Sequence, residues 1–131
     1  MSKKKIKRHP MPSQRQLRVG ELIRRELADI LARQEIHDPE LNRFSITVGE
    51  VQMTSDLKIA TVYMLPLGGD QADDALEVLT RNAPNLRRKI NKRISLKFSP
   101  SFRFKIDDTF DRMDNVRRLF QTDMLQRDVQ N

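Results

Sequence analysis

The chain has no cysteine, no tryptophan and a single tyrosine. Without cysteine there can be no disulfide framework, no thiolate nucleophile and no zinc knuckle. The lack fits a reducing compartment, so a cytoplasmic protein is expected. Histidine is almost as scarce. His9 lies in the basic start of the chain and His37 beside Asp38, and neither has a partner at metal-ligand spacing, so no metal site is expected. The four glycines, Gly20, Gly49, Gly68 and Gly69, fit no phosphate-cradling loop. No apolar run approaches the roughly 20 residues that a membrane span needs. The lysine-rich start is not followed by an apolar segment and does not read as a secretory signal. No Ser, Lys or Tyr stands in a recognisable catalytic setting. These absences argue against an enzyme, a cofactor and a membrane partner.

What is present is charge, unevenly placed. The 131 residues favour one domain, with 37% hydrophobic and 33% charged residues and a net charge of +7. Residues 1–20 hold seven Lys or Arg and no acid, and residues 78–106 hold nine and none. The segments between and after them are net acidic. Such a chain offers a positive surface to a polyanion. A basic surface kept only for solubility is the plainer alternative.

Residues 1–12, with Pro10 and Pro12, read as a disordered basic arm carrying Lys3, Lys4, Lys5, Lys7 and Arg8. Ser13 is a plausible N-cap. From Gln14 to about Arg33, Leu17, Ile23, Leu27, Ile30 and Leu31 recur at helical spacing. His37-Asp38-Pro39 marks a loop, because proline keeps Asp38 out of the helical region. Phe44, Ile46 and Val48 alternate with polar residues as in a strand, and the parity switches after Gly49 to Val51 and Met53. A switch at glycine predicts a β-bulge. Thr54-Ser55-Asp56 forms a turn, and Leu57 to Leu65 a covered strand. A second helix begins near Asp70, Asp73 and Asp74. It stops or kinks at Asn82-Ala83-Pro84. A third helix follows with Leu86, Ile90 and Ile94 on one side and basic residues on the other. Phe102, Phe104 and Ile106 alternate as a third strand, and residues 111–126 read as a last helix with Met113, Val116, Phe120 and Met124 along one side. A strand hairpin with helices on one face is an α+β domain.

The helix bearing Arg87, Arg88, Lys89, Lys92 and Arg93 suits phosphate contacts, and its start at Pro84 and Asn85 adds free N–H donors. Phe102-Arg103-Phe104-Lys105 interleaves aromatic and basic residues as a stacking strand would. A chain so poor in aromatics also needs those rings in its core, which would leave Arg103 and Lys105 exposed. Asp107, Asp108, Asp111 and Asp114 are capping residues of the last helix on one reading and ligands of a hard cation, in a metal-dependent nuclease, on another. A kinked helix pair can also be a winged-helix or helix-turn-helix module for duplex DNA.

The element order resembles a type II KH domain, whose paired helices usually carry a GXXG loop. Here the junction reads Arg81-Asn82-Ala83-Pro84-Asn85, without glycine. Other segments carry a closer resemblance. They are Arg18 through Leu27, Ile46-Thr47-Val48 leading to Val51 through Leu57, Ala60-Thr61-Val62-Tyr63, and Pro100 through Asp108. With them, from about Ser13 to Phe120, the chain resembles bacterial ribosome-binding factor A. The resemblance implies a KH-like fold kinked at an alanine, matched here by Ala83, in place of the GXXG loop. It implies binding to the free, immature small ribosomal subunit and its rRNA. It also implies support of late maturation and rRNA 5′-end processing, often in cold adaptation, without catalysis. An assembly GTPase or a processing nuclease is a partner by analogy. The RNA-binding set expected on these grounds is Arg15, Arg18, Asn82, Ala83, Asn85, Arg87, Arg88, Lys89, Lys92, Arg93, Lys97, Arg103 and Lys105, assisted by the arm. The organisation expected is an arm over 1–12, an RNA-binding domain over 13–110, and a helix and tail over 111–131, acting as a monomer.

Overall fold

A computed structural model describes residues 11–67, 71–96 and 99–107. The expected last helix, the arm residues Lys3, Lys4, Lys5, Lys7 and Arg8, and Lys97 lie outside the described residues.

Helix α1 spans Gln14–Ala32. Ser13 and Gln16 close a reciprocal cap: the Ser13 hydroxyl accepts from the Gln16 N–H, and the Gln16 side chain accepts from the Ser13 N–H. The Gln16 amide also donates to the Met53 carbonyl at 2.9 Å, fastening the start of α1 to the sheet. The buried seam is Gly20, Ile23, Leu27 and Ile30, and the three large side chains are fully buried. Each contributes about 1.5–3 kcal/mol of apolar burial. Leu17, expected in this seam, is 56% exposed. The seam's three- and four-residue steps lead back from Ile23 to Gly20 and Gln16 instead. At the far end the Glu35 N–H bonds the Ile30 carbonyl and the Gln34 N–H bonds the Leu31 carbonyl, with Gln34 at φ 54°. This turn reverses the chain with glutamine where glycine is commoner.

The expected loop at His37-Asp38-Pro39 contains a one-turn helix, α2, over Pro39–Asn42. Asp38 caps it, accepting from the Glu40 N–H at 3.0 Å, and Pro39 stands at its start. Strands β1 (Ile46–Met53) and β2 (Ile59–Pro66) pair antiparallel, with the register broken at Gly49 as the parity switch predicts. Leu57 belongs to the turn and not to the strand, at φ 61° with its side chain buried.

Helices α3 (Ala72–Arg81) and α4 (Ala83–Arg93) then lead to β3 (Ser101–Ile106). β3 pairs with β2 in parallel, giving the order β1-β2-β3. Parallel neighbours need a long crossover, and α3 with α4 provides it. All helices but α2 pack on one face of the sheet. Val48, Val51, Met53, Ala60, Val62, Met64 and Phe102 meet Ile23, Leu27, Leu79, Leu86 and Ile90 there in one core. Phe102 is buried and meets Phe104 edge-to-face at 6.3 Å, so these rings serve the core, while Arg103 and Lys105 are exposed. The architecture is mixed α+β, as expected.

Candidate nucleic-acid interface

The centre of the expected site is the break between α3 and α4. One residue, Asn82, ends the first helix and starts the second. Its N–H bonds the Val78 and Leu79 carbonyls, and its own carbonyl accepts from the Leu86 N–H at 2.9 Å. Its side chain is buried and fully used. The amide donates to the Val78 carbonyl at 2.9 Å and to the Asp38 carboxylate at 2.8 Å, and its oxygen accepts from Asn85 at 3.2 Å. Sequence places Asn82 among the RNA-contacting residues, but burial makes it the joint that holds them. The break also falls one residue before the expected Ala83, which is the first residue of α4. Pro84 follows in the first turn, where its missing N–H costs little.

Asp38 fastens this joint from the side of α2. It accepts from Asn82 and, at 2.9 Å, from Arg81. These bonds, with the Glu40 N–H, lower its carboxyl from 3.8 to about 2. The Arg81 charge is thereby taken up by Asp38 and, at 3.4 Å, by Glu40.

Between this joint and α4 lies an open cleft of about 650 Å³. Asn85, Arg88, Lys89 and Lys92 form one wall, and the stretch from Glu35 to Pro39 the other. Arg88 donates to Asn85. Among the described residues Arg88, Lys89 and Lys92 enter no ion pair. The two acids on the opposite wall are already engaged, Asp38 by Arg81 and Glu35 by Arg93. The cleft therefore keeps three uncompensated cations.

Arg93 is the main departure from the expected basic face. Its guanidinium donates to Asp29 at 2.7 Å, to Glu26 at 2.9 Å, and to Glu35. Asp29 first and then Glu26 raise its pKa. The side chain is 23% exposed. It locks α4 to α1 and is not available for phosphate. Arg87 is separated as well. It donates to the Ser99 hydroxyl and carbonyl, both at 2.7 Å, and lines a hollow of about 270 Å³ with Ala83, Pro84, Ser101 and Phe102.

Arg103 and Lys105 project from the face of the sheet away from the helices, on the parity opposite to Phe102 and Phe104. Arg15 and Arg18 are exposed in the first turns of α1. The structure thus joins Asn85, Arg88, Lys89 and Lys92 in one cleft and places Arg15, Arg18, Arg87, Arg93, Arg103 and Lys105 elsewhere. Sequence reasoning missed the opposite wall. Its one signal was Asp38-Pro39, a cap followed by proline, which also describes a loop.

The joint also bears on the duplex-DNA alternative. A helix-turn-helix needs a turn of about three to four residues between its helices, and here a single residue separates α3 from α4. As for metal, among the described residues no group of three or more His, Cys, Asp or Glu side chains is placed to hold an ion. Asp108, Asp111 and Asp114 lie outside the described residues.

Known proteins share both the sequence and the fold. Residues 15–120 match the model of the family described as ribosome-binding factor A. A ribosome-binding factor A of Ruegeria sp. (strain TM1040) is 60% identical over 131 residues, covering 100% of both chains. The crystal structure of ribosome-binding factor A from Thermus thermophilus superimposes with a TM-score of 0.59 at 23% identity, over 70% of this chain and 94% of that one. A second similar structure is a Thermus thermophilus ribosome binding factor A homology model fitted into a cryo-EM map of its 30S complex. Its TM-score is 0.54 at 25% identity, over 67% of this chain and 90% of that one.

Proposed function

Because the chain belongs to the ribosome-binding factor A family, we propose that it is an assembly factor that grips immature small-subunit rRNA in the cleft between α2 and α4. The observation that carries this reading is the set of three cations, Arg88, Lys89 and Lys92, left without carboxylate partners among the described residues along one wall, while Arg81 and Arg93 are neutralised. Phosphate contacts of this kind position a protein on RNA and supply most of its salt-dependent affinity.

In this reading residues 13–110 form a type II KH-like domain, with the α3–α4 joint in place of the GXXG loop. The helix order and the parallel β2–β3 pair support it. Asn85 and Ala83 stand at the mouth of that joint. Arg15 and Arg18 are outlying contacts, and the residues 1–12 add affinity without selectivity. Lys97, outside the described residues, is included in the RNA-binding set on its sequence alone. The protein acts as a cytoplasmic monomer on the free, immature subunit and supports late maturation and 5′-end processing, in the cold above all. It performs no chemistry itself. An assembly GTPase or a processing nuclease completes the step.

The test is co-sedimentation. The parent chain is expected with free small subunits and not with complete ribosomes. The double reversal R88E/K92E is expected to abolish it, and milder neutralisation to reduce the salt slope by about 0.9 for each duplex phosphate that is no longer neutralised. Retained binding with an unchanged salt slope would remove the cleft from the mechanism. Deleting residues 1–12 is expected to lower affinity and flatten the slope, and an unchanged slope would make the arm passive.

A further inference from the structure

We propose that the sheet face turned away from the helices is a second RNA contact, a stacking platform for single-stranded RNA centred on Tyr63. The inference rests on the RNA-binding reading above but uses a different surface. The register places two rows of side chains on that face. One is Gln52, Thr61 and Arg103, and the next is Glu50, Tyr63 and Lys105. Tyr63 sits on the central strand and is half-buried. Its hydroxyl donates to Gln52 Oε1 at 3.4 Å, which holds the ring toward β1. The two aromatic residues of β3 serve the opposite face, so among the described residues of these rows stacking falls to Tyr63.

The charges on this face are ordered. Arg103 and Lys105 lie on β3 with about 6.6 Å of strand between them, close to the step between neighbouring phosphates of an extended RNA strand. Among the described residues neither enters an ion pair. Two acids share this face, both toward its bulged end. Glu50 is on β1, held by the Gln52 amide at 3.0 Å, and Asp107 is beyond the end of β3, its carboxylate against the Gly49 bulge. A phosphate backbone is therefore drawn along β3 and repelled from the bulged end, which directs a base inward onto the Tyr63 ring. An aromatic ring with adjacent cations on an open sheet is a sequence-tolerant reader of unpaired bases, whereas an RNA duplex keeps its base faces hidden.

The chain supplies its own reporter, because with one tyrosine and no tryptophan its intrinsic emission comes from Tyr63 alone. Titrating the full chain with a short unstructured oligoribonucleotide is expected to quench that emission saturably, and duplex RNA of equal length to quench it far less. The exposed pair R103A/K105A is expected to weaken binding about tenfold and to lower the single-strand salt slope by about 1.4. With a dye-labelled oligonucleotide, Tyr63→Leu is expected to lose about tenfold in affinity, while Tyr63→Phe, which keeps the ring and loses the hydroxyl, binds like the parent. R88E/K92E is expected to leave the quench intact while abolishing co-sedimentation with subunits, which separates this proposal from the cleft. Absence of quenching, a quench indifferent to R103A/K105A, or equal quenching by duplex would overturn it. Quenching by RNA-free ribosomal proteins but not by the oligonucleotide would assign the face to a protein and overturn it as well.

Discussion

Gly20→Ala tests how α1 is seated on the sheet. A Cβ at Gly20 would stand 2.5 Å from the Val51 carbonyl oxygen, where ordinary contact begins at 3.4 Å. The shortfall is about 0.9 Å by that difference, and both sides are backbone, so no side-chain rotation relieves it. Helix α1 would have to lift from β1, loosening Ile23, Leu27 and Ile30 together. Overpacking of this kind costs about 1–3 kcal/mol, and occasionally more. Against it stands the helix propensity of alanine over glycine, a gain of about 0.8–1.0 kcal/mol. With backbone on both sides the cost falls at the upper end of that range, so the expected net loss is about 2 kcal/mol, a fall in Tm of about 8 °C at the roughly 4 °C per kcal/mol of a domain of this size. Urea titration followed by circular dichroism measures it. Gly49→Ala is the control. Its Cβ would meet Asp107 Oδ2 at 2.7 Å, a side-chain atom and not backbone, so a smaller loss, of about 1 kcal/mol or less, is expected. An unchanged or raised midpoint for Gly20→Ala would refute the reasoning, since that is what propensity alone predicts.

Two further predictions concern the charges around the joint. The Asp38 carboxyl is lowered from 3.8 to about 2 by Asn82 and Arg81, so its ionised form is favoured by folding, and the stability it adds is full above about pH 4 and lost as pH falls through about 2. Asp38→Ala should flatten the acid limb of urea midpoint against pH in that window, and an unaltered limb would discard the link. Arg93→Ala leaves Glu26, Asp29 and Glu35 facing one another without their cation. It should lower the midpoint clearly while added salt partly restores it, whereas Arg88→Ala stays within about 0.5 kcal/mol of the parent. Equal losses for the two arginines would undo the distinction between hub and cleft.

The elements with several turns or an alternating pattern are legible in the sequence. The Ser13 cap, the span of α1, the bulge at Gly49, the interruption near Asn82 and the core side of α4 follow from local spacing, and the structure has them. Helix α2 is not legible because one turn has no periodicity to read. The parallel pairing of β3 is hidden too, since register between Ile59 and Ser101 depends on partners far apart in the chain. The basic run of α4 is legible as composition but not as a site. Arg88, Lys92 and Arg93 are alike in sequence. Only the fold brings Glu26, Asp29 and Glu35 onto Arg93 and leaves the other two without a carboxylate among the described residues. The burial of Asn82 is not legible for a related reason: a polar residue at a break suggests exposure, and its burial depends on Asp38, reached across 44 positions.

The one-residue joint also sets the terms on which the molecule meets a flexible polymer. Every polar atom of the Asn82 side chain is satisfied, and Asp38 braces it, so α4 does not swing on α3. Arg88 and Lys92 are one helical turn apart, about 6 Å between their Cβ atoms, with Lys89 beside them. These are fixed graduations on a ruler. In the function proposed above, little binding free energy would go into arranging the protein, and the adjustment would fall on the RNA. A strand whose phosphates match the spacing would be held. One still misfolded would be held less well, so the protein would act as a gauge of the conformation it grips.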